Sequence, residues 1–142
     1  MKTRAGFVVF GTHKDGLLDP MGTPFIDESI IQGAREALRA RDIELVEWPI
    51  VLANKAEARE ALSSMKKDDE LDALIQFAGT WIWSGLMIAA VRDFASCGKP
   101  IILWTHSGSQ GWRPVGGLVM HGTMLEVGIP HKFVYAAADD AE

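Results

Sequence analysis

Glycine, hydroxyl and aromatic side chains follow two short apolar runs in the middle of the sequence. Residues 79–83 include Thr80 and Trp81, and residues 104–112 include His106. Tryptophan combines a large apolar face with one N–H donor, so tryptophans beside hydroxyl groups suit a ligand that has both C–H faces and hydroxyl edges. Sugars have this character, although the same tryptophans would also suit a protein core or a subunit interface.

The histidines separate into two groups by position. Thr12 and His13 follow the first predicted strand, and His106 follows the fourth. In a parallel sheet these residues lie at the same edge, so both histidines are candidates for ligand contact, with a hydrogen bond that braces the loop as the alternative for His106. His131 precedes the last strand and His121 lies within a helix, so both are expected to be structural.

Strand and helix patterns alternate along the whole chain. Short apolar runs bounded by turn residues predict strands, and apolar residues at helical spacing predict helices. The predicted strands cover residues 5–11, 43–48, 72–77, 100–104 and 132–135, and the predicted helices cover residues 24–41, 54–67, 84–96 and 115–127. This order predicts one α/β domain over residues 1–142, a flavodoxin-like (Rossmann-like) three-layer sandwich with a parallel sheet of about five strands.

Three details of the helices add to this interpretation. Ser84 is expected to cap the third helix. Gly116, Gly117 and Gly122 each cost a helix roughly 1 kcal/mol, so the fourth helix is expected either to contact another subunit closely or to be a buried helix after a glycine-rich turn. Residues 136–142 stand where a fifth helix is expected, and a last strand without its covering helix leaves apolar surface for a partner subunit or a further domain.

Composition excludes several classes of function. The 142 residues carry a net charge of −5, which disfavours binding to nucleic acid or to an anionic membrane. The apolar runs are shorter than a membrane span or a secretory signal. Cys97 is the single cysteine of the chain, which fits a reducing compartment and predicts a cytoplasmic protein.

Familiar catalytic motifs are missing at the predicted ligand edge. The third strand is not followed by an aspartate that could accept a phosphoryl group, and no Gly-x-Gly-x-x-Gly pattern opens the first helix. The only metal-ligand candidates at that edge are Asp15, Asp19, His13 and His106, and no Glu or Asp follows the third or fourth strand. The sequence therefore does not predict a complete metal site within one chain. The sequence therefore predicts binding rather than catalysis.

Four segments together resemble the amino-terminal domain of the L-fucose/L-arabinose isomerase family. They are residues 10–13, 79–81, 98–104 and 117–122, and the resemblance extends over essentially the whole chain. It implies a cytoplasmic, metal-dependent aldose–ketose isomerase whose oligomer places active sites between subunits. It also implies that Mn²⁺ and the acid–base carboxylates belong to later domains of the full-length enzyme, so that this chain binds no metal and is inactive alone.

The resemblance also assigns roles to individual residues. It implies that His13 reaches the sugar and that Trp81 packs on it, while Thr12, Thr80 and His106 match the family less specifically. On this interpretation the chain is the substrate-contacting and oligomerisation domain of an isomerase that acts on an L-fucose- or L-arabinose-like sugar. The alternatives are a free-standing module that binds a sugar or another small ligand, and a structural oligomerisation domain.

Overall fold

The computed structural model of the chain describes residues 2–11, 28–80, 82–107 and 113–139. Strands and helices alternate strictly through these ranges. The elements are β1 (Thr3–Phe10), α1 (Glu28–Arg39), β2 (Ile43–Glu47), α2 (Lys55–Lys66), β3 (Ala73–Ala78), α3 (Ser84–Ala95), β4 (Ile101–His106), α4 (Arg113–Glu126) and β5 (Lys132–Ala136).

The five strands form one parallel sheet in the order β2-β1-β3-β4-β5. This is the flavodoxin-like order of a doubly wound α/β fold. Phe10 pairs with Ala78, Ala78 with Thr105, and Thr105 with Tyr135, so the carboxyl ends of four strands are level with one another. The fold class predicted from the alternation of strands and helices is confirmed.

Helices cover both faces of the sheet and make two separate apolar cores. Side chains alternate between the faces along β3, where Leu74 and Ala78 enter one core while Ile75 and Phe77 enter the other. The first core is closed by α2, α3 and α4, and the second is closed by α1. Because both faces are covered, the central strands read as nearly continuous apolar runs.

Local sequence signals mark the ends of the helices. Asn54 caps α2, since its Oδ1 accepts hydrogen bonds from the backbone N–H groups of Ala56 and Glu57 at 3.0 and 3.1 Å. Gly98 follows α3 with φ of 75°, and Gly128 follows α4 with φ of 72°. Glycine adopts this left-handed conformation without a Cβ clash, which explains why both helices end there.

None of the helices in the described ranges is both long and apolar enough to cross a membrane.

Candidate functional site

The carboxyl edge of the sheet is held together by backbone hydrogen bonds between neighbouring strand ends. The N–H of Gly79 donates to the carbonyl of Phe10 at 3.5 Å, and the N–H of Ser107 donates to the carbonyl of Ala136 at 3.2 Å. These bonds continue the sheet pairing one residue beyond the strands. The turns after β3 and β4 therefore begin from a rigid base, and flavodoxin-like folds bind ligands at this edge.

Two of the five predicted site residues lie at this edge in the described ranges. Thr80 follows β3, and His106 is the last residue of β4, the neighbouring strand. Thr80 is fully buried, so its hydroxyl is shielded from solvent. His106 is half-buried, and its ring meets Phe77 edge-on with the ring centroids 6.3 Å apart, which places it on the α1 side of the sheet.

The other three predicted site residues, Thr12, His13 and Trp81, lie outside the described residues. Their contacts with a sugar stay predictions.

The tryptophans next to the two loops differ in environment. Trp104 is 7% exposed, stands edge-on to Phe77 with centroids 5.0 Å apart, and donates its Nε1–H to the carbonyl of Ala136 at 2.9 Å. Trp104 therefore belongs to the core on the α1 side, which is the alternative that the sequence left open for these tryptophans. Trp83 is 51% exposed in the turn between β3 and α3, so about half of its surface is open to solvent.

The expected cap of α3 is wrong. Trp83 occupies the cap position without a side-chain hydrogen bond, and Ser84 is already the first helical residue. The hydroxyl of Ser84 is instead hydrogen-bonded to the hydroxyl of Thr123 at 3.0 Å. Because this bond joins α3 to α4, Ser84 stabilises helix packing rather than the helix end.

Two buried polar residues near the site went unnoticed in the sequence. Gln76 and Thr105 are fully buried on the face covered by α3 and α4, and their side-chain amide and hydroxyl atoms have no hydrogen-bond partner among the described residues. Thr105 pairs with Ala78, two residues beyond Gln76, so the two side chains are diagonal neighbours. A glutamine in the middle of an apolar strand is the signal that would have indicated this polar pair.

A histidine pair occupies the opposite edge of the sheet. His131 Nδ1–H donates to the carbonyl of Ile129 at 2.8 Å, so its Nε2 accepts from His121 Nδ1 at 2.8 Å when both rings are neutral. His121 also stacks on Phe133, with centroids 4.2 Å apart. Burial, and then the charge that His131 acquires on protonation, lower the pKa of His121. Both histidines therefore contribute contacts within the fold.

The described residues contain no group of three or more His, Cys, Asp or Glu side chains that could hold a metal ion.

The fold of this chain is similar to that of solved protein structures. No protein-family model matches the chain, and no curated protein matches it. One of the matching solved structures is a periplasmic solute-binding protein of an ABC transporter from Actinobacillus succinogenes 130z with bound D-allose, at 16% sequence identity and a TM-score of 0.45. The alignment covers 95% of this chain but 59% of that one, so this chain spans little more than half of the transporter protein's length.

Proposed function

We propose that this domain binds a sugar, or a small ligand of similar polarity, at the carboxyl edge of its sheet. The observation that carries the proposal is the meeting of Thr80, Trp83 and His106 at one edge, with the last two side chains partly open to solvent. Ligands in open α/β sheets bind outside the carboxyl ends of the strands.

The two exposed side chains supply complementary chemistry. The indole of Trp83 offers an apolar face that can cover the C–H side of a sugar ring. A ring nitrogen of His106 can form a hydrogen bond with a sugar hydroxyl group. In this proposal Thr80 shapes the turn from the inside, and the sugar contacts predicted for His13 and Trp81 add to the same site.

We also propose that the domain acts as the substrate-contacting part of a metal-dependent aldose–ketose isomerase similar to the L-fucose/L-arabinose isomerases. Exposed apolar side chains of α4 support the part of this proposal that concerns contact with a neighbour: Leu118 is 45% exposed and Leu125 is 62% exposed. Such a surface suits contact with another domain or subunit. In this proposal the manganese ligands and the acid–base carboxylates belong to other domains. The single cysteine fits a reducing compartment, and cytoplasmic location remains a prediction.

Calorimetric titration of the purified chain with L-fucose and L-arabinose tests the binding proposal. Trp83→Ala should weaken sugar binding about fivefold, equivalent to ~1 kcal/mol, because the ring loses its apolar contact. Leu125→Ala is the matched control, since it removes an exposed apolar side chain from α4 and should leave the affinity unchanged. Equal affinities for the parent chain and Trp83→Ala would contradict a contact between the sugar and Trp83.

An isomerase assay of the same chain with added Mn²⁺ tests the second proposal separately. We expect no conversion of aldose to ketose, because the reaction needs a metal to polarise the sugar oxygens and a base to move a proton. Conversion by the purified chain would show that it carries its own catalytic groups and would overturn the assignment of those groups to other domains.

A further inference from the structure

An apolar groove with a volume of about 260 Å³ opens on the α1 side of the sheet. Its floor is formed by Ile75 of β3, Ile102 of β4 and Val134 of β5, and Leu38 of α1 forms one wall. The groove therefore runs beside α1 over the half of the sheet that α1 does not cover. It lies on a different face from α2, α3 and α4.

The layering of the fold explains the shape of this groove. A parallel sheet of this class is covered by helices on both faces, with neighbouring helices about 8–10 Å apart. In the described part of the chain three helices cover one face and α1 is the helix on the other. The floor crosses three adjacent parallel strands, each about 17 Å long, which matches a helix of about 11 residues.

The charges at the two ends of the groove select a direction for such a helix. Arg41 follows the carboxyl end of α1, lines the groove and is exposed, and its Nη1 donates to the carbonyl of Ala37 at 2.9 Å. Among the described residues that line the groove, the others are uncharged. Asp139 is exposed at the opposite end, next to Ala138, whose Cβ would lie 3.5 Å from a methyl group built on Gly33 of α1.

We propose that the groove binds one amphipathic α-helix that runs antiparallel to the strands, as α1 does. The amino end of a helix carries a partial positive charge and its carboxyl end a partial negative charge, so Asp139 stabilises the first and Arg41 the second. The occupant carries apolar residues at i, i+3, i+4 and i+7 on the face that meets Ile102 and Val134, and polar residues on the other face. The groove lies on the same face of the sheet as His106, since Trp104 and Ala136 line it. The edge is tested with a sugar and the groove with a dye and a peptide, so each proposal can fail without the other.

The test uses the full chain, the dye ANS and a synthetic helical peptide of 14 residues with a leucine and alanine face. The monomeric chain should bind ANS, and the peptide should displace the dye. Arg41→Glu should weaken the peptide about fivefold, or ~1 kcal/mol, because a like charge then meets the carboxyl end of the helix. Arg59→Glu is the matched control, since Arg59 is exposed on α2 on the opposite face.

A second variant separates docking from misfolding. Ala37→Phe places a ring in the groove from α1 and should abolish dye and peptide binding while the thermal unfolding transition stays cooperative. Three results would overturn the proposal. They are a monomer that binds neither probe, equal binding of a peptide with the same composition but a shuffled apolar face, and a dimer by solution mass that excludes the dye because a second copy covers the groove.

Discussion

The pairing of β4 with β5 determines where the side chain of His106 lies at the carboxyl edge of the sheet. The sequence predicts that β4 ends at Trp104, but pairing with β5 continues to His106, which lies opposite Ala136. The alternation of side chains along a strand then puts His106 on the same face as Trp104, and Thr105 on the other. The position of His106 is therefore set by sheet register and not by loop conformation.

The contact between His121 and His131 predicts that the stability of the protein depends on pH. Burial, and then the charge of His131, lower the pKa of His121 below its usual 6.5. The unfolded chain therefore takes up this proton at a higher pH than the folded chain does. The stabilising contribution of neutral His121 is complete above about pH 6.5 and is lost as the pH falls through the lower pKa of the folded state.

Urea unfolding at a series of pH values from neutral downwards measures this contribution. The free energy of unfolding of the parent chain should fall below about pH 6.5 more steeply than that of His121→Phe. Phenylalanine is the chosen replacement because it can keep the stacking contact with Phe133 while removing the titrating group. Parallel pH profiles for the two proteins would mean that His121 titrates with the same pKa in the folded and unfolded chains.

At the scale of the element, α4 shows how one helix divides its residues between two surfaces. Met120 and Met124 are fully buried against the sheet, whereas Leu118 and Leu125 are exposed. Met120 and Met124 therefore pack within the chain, and the face available to a partner is the one with Leu118 and Leu125. The expected contact with another subunit stays a prediction.

Two of the three glycines of α4, Gly117 and Gly122, have different environments. A methyl group built on Gly117 would overlap the hydroxyl of Thr105 and lie 2.8 Å from its Cβ, so close contact between α4 and β4 requires glycine there. A methyl group built on Gly122 meets nothing within 4 Å. Gly117 thus permits close packing inside the chain, whereas internal packing does not explain Gly122.

Alanine substitutions at these glycines give a matched pair of stability measurements. Gly117→Ala should lower the free energy of unfolding by about 1–3 kcal/mol, because α4 must move away from Thr105. Gly122→Ala should raise it by about 1 kcal/mol, because alanine has the higher helix propensity and fits without a clash. Urea unfolding of both variants measures the difference, and a Gly117→Ala protein as stable as the parent would contradict the close contact with Thr105.

Element boundaries could be predicted where local chemistry fixes them. Asn54 before α2 and Gly98 after α3 mark helix ends through their own side-chain or backbone geometry, and both helices end within one residue of the predicted ranges 54–67 and 84–96. The carboxyl end of β4 could not be predicted, because Thr105 and His106 become strand residues through pairing with β5. The role of Ser84 was missed for a similar reason, since its partner, Thr123, is distant in sequence.

At the scale of the whole molecule, the parallel sheet and its helix layers could be predicted from alternation alone. Right-handed crossovers force α2, α3 and α4 onto one face once the strand order is known. For the candidate site, the sequence could predict the edge of the sheet at which it lies, but not which side chains are exposed there. The burial of Thr80 and Trp104 and the exposure of Trp83 depend on packing between distant segments, which a single sequence does not encode locally.

The central claim is that a sugar binds at the carboxyl edge, and amide chemical-shift mapping by NMR tests it most directly. Titration with L-fucose should shift the backbone amides of Gly79, Thr80, His106 and Ser107, which surround the ends of β3 and β4. The amides of residues at the opposite edge, such as Gly128, should stay unchanged. Shifts confined to that opposite edge, or no shifts at millimolar sugar, would contradict the account.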